Sequence, residues 1–140
     1  MQSPAQVPAT PALIDWAALF GRMGLAVLFL WSGCDKLMYM EGNIRYMKAY
    51  AVPSPELLIW PALLVELVGG AFILVGWNAR WAALALALFT IAATFIFHAF
   101  WDVSASQALN QQVLFMKNLA VLGGLLYVFA YGAGRFALKR

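Results

Sequence analysis

Residues 57–77 read LLIWPALLVELVGGAFILVGW, and this stretch decides the fold. A helix needs about 20 predominantly apolar residues to cross the hydrocarbon core of a bilayer. This run has that length and one ionisable residue, Glu66. Outward from it lie three more runs of the same kind, over residues 17–37, 81–101 and 113–131. Continuous Ala- and Leu-rich runs indicate helices, because the strands of a membrane barrel alternate in polarity. Four spans nearly exhaust the 140 residues, so the sequence predicts an all-α bundle of four transmembrane helices.

Composition agrees. The chain is 64% hydrophobic and 11% charged, with mean hydropathy +0.80, whereas a soluble domain is about 25% charged. The net charge of +3 comes from scattered basic residues, a distribution that suits a membrane surface and excludes nucleic acid as a partner. One cysteine, Cys34, allows neither an intrachain disulfide nor a CxxC pair. One histidine and one cysteine do not make a zinc site, so no metal is expected.

Residues 1–12 read as a flexible tail without the basic start of a signal peptide, residues 13–135 as the transmembrane domain, and residues 136–140 as a basic tail. The connection over 41–56 carries a short amphipathic surface helix, expected near 43–50, stopped by Pro53 and Pro55. Ser54 is placed to cap the helix that follows. Gly76 and Asn78 make the turn into the third span, and residues 102–112 form a polar link into the fourth. Even-numbered crossing puts both termini on one side with Arg80, Arg135, Lys139 and Arg140. The positive-inside rule assigns that side to the cytoplasm of a bacterial inner membrane. Trp16, Trp60, Trp77, Trp81 and Trp101 fall near span ends, at interface depth.

Function is sought where polarity intrudes on the spans. Arg22 and Lys36 lie in the first, Glu66 in the second, His98 in the third, and Lys117 and Asn118 in the fourth. Each ionisable intruder costs roughly 2.5–3.5 kcal/mol on insertion scales, so it needs a partner or a watery site. With a rise of about 1.5 Å per residue, Lys36, His98, Lys117 and Asn118 share one outer layer, with Glu66 below them. Asp35 and Asp102 rim that layer. Arg22 falls in the cytoplasmic half, as an anchor or one side of a structural pair. Helical spacing puts Arg22, Phe29 and Lys36 on one stripe of the first span. Glu66, Gly69, Gly70 and Ile73 form a stripe on the second, Thr90, Thr94 and His98 on the third, and Lys117, Gly124 and Tyr131 on the fourth.

Several chemistries remain open for these groups. Glu66 pairs with Lys36, Lys117 or Arg22, or is neutral. The lysines line the layer or snorkel to the headgroups. His98 is a hydrogen-bonded packing residue or a proton carrier, as is Glu66. Asn118 suits an interhelical hydrogen bond. The Gly69-Gly70 and Gly123-Gly124 pairs suit close helix packing.

Read in order, the chain resembles the DoxX family of small four-span bacterial membrane proteins. The resemblance is carried by Arg22, the run 28–33 (LFLWSG) with Lys36, and Pro53-Ser54-Pro55. It continues through residues 64–70 (LVELVGG), the Gly76 turn with Arg80, 97–101 (FHAFW), 115–119 (FMKNL) and Gly123-Gly124, spanning about 16–134. Relatives are linked to membrane redox systems, including a thiosulfate:quinone oxidoreductase subunit. The resemblance therefore implies an accessory subunit of a quinone-linked oxidoreductase. A quinone is then the candidate ligand, held by Lys36, Glu66, His98, Trp101, Lys117 and Asn118, with Phe97, Phe100 and Trp101 packing its ring. Arg22 and Arg80 would be structural. Its partners would be the lipid bilayer, a redox protein that supplies electrons, and further copies of itself. Two other functions remain open: a non-enzymatic scaffold that recruits proteins, and a carrier of small solutes or anions.

Overall fold

A computed structural model describes residues 10–138. The expected tail lies outside the described residues up to residue 9, as do Lys139 and Arg140 of the expected basic tail. Among the described residues the order is α1 (Pro11–Met38), α2 (Met40–Ala49), α3 (Pro55–Val75), α4 (Ala79–Phe97), a single 3₁₀ turn (Phe100–Asp102) and α5 (Ala105–Tyr131). Four of these helices are long and apolar enough to cross a membrane.

Local chemistry sets the boundaries. Pro11 opens α1, where a missing amide costs nothing. Gly76 ends α3 in the left-handed conformation (φ 73°), with its own amide on Ile73 O and that of Trp77 on Phe72 O. These paired bonds form a Schellman cap. A side chain at Gly76 would also run into the Arg22 guanidinium and Ala137. Asn78 (φ 48°) completes the expected tight turn. Ser54 departs from expectation. It is left-handed (φ 46°) and its side chain caps nothing; its carbonyl instead receives the amides of Leu57 and Leu58. α3 runs unbroken through Pro61, which faces outward.

Two longer-range expectations need correction. The surface helix α2 starts three residues earlier than the pattern suggests, directly after a break at Tyr39 (φ −122°, ψ 43°). The polar stretch expected as a link into the fourth span is mostly the first two turns of α5, which begins at Ala105. Conversely the α-helix α4 stops at Phe97 with His98 as its terminal cap, while the apolar span continues through the 3₁₀ turn to Asp102.

α1 packs along α3, α3 on α4, and α4 on α5, while α1 and α5 meet sparsely. The close approaches use glycine. A Cβ on Gly33 would lie 2.6 Å from Leu67 of α3, and one on Gly70 would lie 3.0 Å from Leu30 of α1. Gly69 receives Leu86 of α4 in the same way, at 2.9 Å. Small residues let helix backbones approach in lipid, where packing replaces the hydrophobic drive. Gly69, Gly70 and Gly124 are contacts of this kind, whereas Gly123 faces open space. The core is a column of Ala26, Phe29, Ile73, Ala83, Leu86 and Leu125. Around it most large apolar side chains are exposed, including all five tryptophans assigned to span ends. In acyl chains that surface is the solvated one.

Candidate functional site

The start of α1, the end of α5 and the Gly76 turn lie at one end of the bundle; α2, the 3₁₀ turn and the start of α5 lie at the other. The intruding polar groups divide between these ends.

At the α2 end, Glu66 projects from the buried face of α3 and is 3% exposed. Gly33 brings α1 so close that its Cβ position would be 3.5 Å from Glu66 Cβ. One turn beyond, Lys36 reaches the carboxylate. Its Nζ donates to Glu66 Oε1 at 3.0 Å and to Ser32 Oγ at 2.9 Å, and Ser32 Oγ donates to Oε1 at 2.9 Å. Glu66 Oε2 is 2.9 Å from the ammonium, but outside hydrogen-bonding geometry, and no other described donor reaches it. Of the three cations open to Glu66 in the sequence, Lys36 is thus its partner. Pairing offsets the cost of taking either charge out of water.

Glu66, Lys36 and Ser32 line a cavity of about 250 Å³ among α1, α3, α4 and α5. Phe29, Phe89 and Phe97 give it apolar walls, and Thr90, His98 and Asn118 add polar ones. α2 roofs it with Asn43, Tyr46 and Met47. Tyr46 stacks on Phe97 at 5.4 Å, and Tyr50 meets the same ring edge-on at 5.4 Å. Partial burial, and then the neighbouring Tyr50 hydroxyl, raise the Tyr46 phenol above its usual pKa, so it stays neutral. Asn43 Nδ2 donates to Asp35 Oδ2 at 3.1 Å, tying α2 to the end of α1. Lys48 and Glu56 form an ion pair between α2 and the start of α3.

His98 is half-buried on the cavity wall, with Nδ1 2.8 Å from Gln111 Oε1 of α5. Gln111 Nε2 in turn donates to Tyr50 Oη at 3.2 Å. Asn118 Nδ2 donates to Thr94 Oγ1 at 2.9 Å, an α5–α4 bond of the expected kind. Thr94 and Thr90 turn their hydroxyls back onto the carbonyls of Thr90 and Leu86.

Some sequence-derived assignments fall elsewhere. Lys117 is exposed and lines no part of the cavity, because α5 turns Asn118, Val121 and Leu125 inward instead. Tyr131, expected on the same seam, is 77% exposed. Trp101 and Phe100 leave the α4 helix and cluster with Phe95 and Phe115 outside the cavity; of the three expected ring-packing aromatics only Phe97 lines it. Asp102 is exposed at the end of the 3₁₀ turn. Residues 43, 46, 50 and 111 were not singled out as site residues, although their spacing carried a signal. Asn43, Tyr46, Met47 and Tyr50 recur at helical intervals, and Gln111 precedes Asn118 by two turns.

At the other end, Arg22 is 3% exposed and pairs with no carboxylate among the described residues. Nη1 donates to Ala133 O at 2.7 Å and Nη2 to Phe136 O. The segment after α5 folds back over the bundle, with Leu138 N on Val75 O at 3.0 Å and Phe136 against Trp16 at 5.0 Å. Phe136–Leu138, expected as part of a basic tail, are thus docked. Arg80 is exposed and lies beside Gly132, while Arg135 approaches Asp15 at 3.8 Å.

Comparison with known proteins agrees with this architecture. A family model described as DoxX matches residues 17–99. Inner membrane protein YqjF of Escherichia coli (strain K12) is 34% identical over 128 residues, 91% of this chain and 93% of that protein. Inner membrane protein YphA of the same organism is 26% identical over 132 residues, covering 94% and 91% respectively. A Surfeit locus protein 4 homolog of Schizosaccharomyces pombe is 30% identical over 84 residues, 56% of this chain and 28% of that protein. No solved structure matches.

Proposed function

The chain belongs to the DoxX family, and from that premise we propose that it is a membrane subunit that binds a quinone or similar amphipathic redox molecule in the α2-end cavity. It serves there as an accessory subunit of a quinone-linked oxidoreductase. The observation that carries this reading is the joint presence, on one cavity of about 250 Å³, of a buried ion pair and the chain's sole histidine. A redox ring needs polar groups for its oxygens and apolar walls for its faces, which is the usual composition of a small-molecule site. Glu66 with Lys36 supplies one polar pole, His98 another, and Phe29, Phe89 and Phe97 the walls. Glu66 and His98 are the groups able to exchange protons with a bound ring.

The electrons come from a partner protein. Placement in an inner membrane, as for YqjF and YphA, with both termini cytoplasmic puts the cavity in the outer half of the bilayer. The reading is tested by extracting and identifying quinone from the purified protein, and by its thermal stability with and without an added short-chain quinone or quinol. The expected result is bound quinone and a raised midpoint in the native protein, with Glu66→Gln and His98→Ala unresponsive. A native protein free of quinone and indifferent to added ligand in either redox state would refute it.

A further inference from the structure

Resting on the reading just given, we infer that the His98 pole of the cavity takes a hydroxyl of the ligand, not a carbonyl, and that Gln111 is the positioning residue that makes it so. Gln111 Nε2 donates to Tyr50 Oη, which turns Oε1 toward His98. An amide oxygen can only accept, so the His98 nitrogen 2.8 Å away, Nδ1, must carry the proton. In a neutral imidazole one nitrogen donates and the other accepts. Nε2 is then a bare lone pair. Gln111 is not part of the cavity wall, whereas His98 is. With Nδ1 engaged by Gln111, Nε2 is the ring nitrogen left to meet a ligand in the cavity that His98 lines.

A lone pair accepts from O–H or N–H and repels a carbonyl oxygen. Lys36 and Glu66 face the cavity with both signs of hydrogen-bonding group, and so do not choose between redox states. His98 does. A ring bearing a hydroxyl, the reduced or hydroquinone form, satisfies Nε2; the oxidised dione leaves two acceptors opposed. One hydrogen bond of ordinary net strength corresponds to about tenfold in affinity.

Because His98 is the sole histidine, a single nitrogen-15 histidine label reports this tautomer without assignment. In the protein in detergent, at a pH where the ring is neutral, the expected spectrum has a protonated Nδ1 and a bare Nε2. Gln111→Glu keeps an acceptor oxygen and should preserve that tautomer. Gln111→Leu removes it and should shift the spectrum toward protonated Nε2. Alongside, a short-chain quinol should bind about tenfold more tightly than its quinone, and Gln111→Leu should narrow that ratio while Gln111→Glu keeps it. A protonated Nε2 in the native protein, or equal binding of the two redox forms, would overturn this inference and leave the cavity reading standing. Absence of binding by either form would overturn the cavity reading, and this inference with it.

Discussion

The two ends of the bundle each bury a charged side chain to the same 3% exposure, yet Arg22 and Glu66 are used differently. Arg22 holds two main-chain carbonyls of the segment after α5, leaves its Nε without an acceptor among the described residues, and borders an apolar cavity of about 300 Å³. Glu66 shares its carboxylate with Lys36 and Ser32, retains an oxygen without a hydrogen-bond donor, and faces open space. Burial of charge therefore does not mark a functional group by itself. The surroundings separate the two: Arg22 ties down the segment after α5 beside apolar walls, whereas the Glu66 cavity also gathers Lys36, His98 and Asn118.

Substitutions at the two ends should separate these roles. The largest effect on stability is expected for Arg22→Met, which strands the carbonyls of Ala133 and Phe136. Two charge-assisted bonds are lost, together worth about 3 kcal/mol or more, while the folded fraction should still respond to added ligand. Equilibrium unfolding in detergent measures the first and a ligand titration the second. A smaller loss, about 1–3 kcal/mol from overpacking, is expected for Gly69→Leu, whose side chain must displace Leu86. Unfolding midpoints compared with Gly123→Leu, which meets nothing, check it. Glu66→Gln keeps the shape but removes the counter-charge of Lys36, so a cost of about 1–3 kcal/mol is expected together with loss of the ligand response. A normal response in Glu66→Gln would erase the contrast between the two ends. Lys117→Gln should change stability by less than about 0.5 kcal/mol and leave binding untouched; reduced ligand affinity there would return Lys117 to the site.

Much of this arrangement is legible in the sequence, and the parts that are not have physical reasons. The stripe Glu66, Gly69, Gly70 and Ile73 was readable because one uninterrupted helix keeps its phase, and all four are buried. The Lys36–Glu66 pair was one of three pairings the depths allowed, and only the Gly33 approach selects it. Lys117 and Asn118 are neighbours about 100° apart around a helix, so a small error in the phase of α5 exchanges them. Trp101 was misplaced because α4 ends at Phe97 without a Gly or Pro to announce it. Gln111 was hidden by composition, since a polar stretch reads as a link even when it is helix. The partners of Arg22 had no signal at all, because every residue carries a carbonyl.

The central claim, that the α2-end cavity holds an amphipathic redox ring, is tested most directly by photolabelling the native protein in bilayers with a photoreactive short-chain quinone and mapping the labelled peptides. The account predicts label concentrated on cavity-lining residues such as Phe97, His98 and Tyr46, displaced by unlabelled quinol and absent in Glu66→Gln. Label spread over outward-facing residues such as Phe20, Trp31 and Leu109, indifferent to competitor and to Glu66, would contradict it.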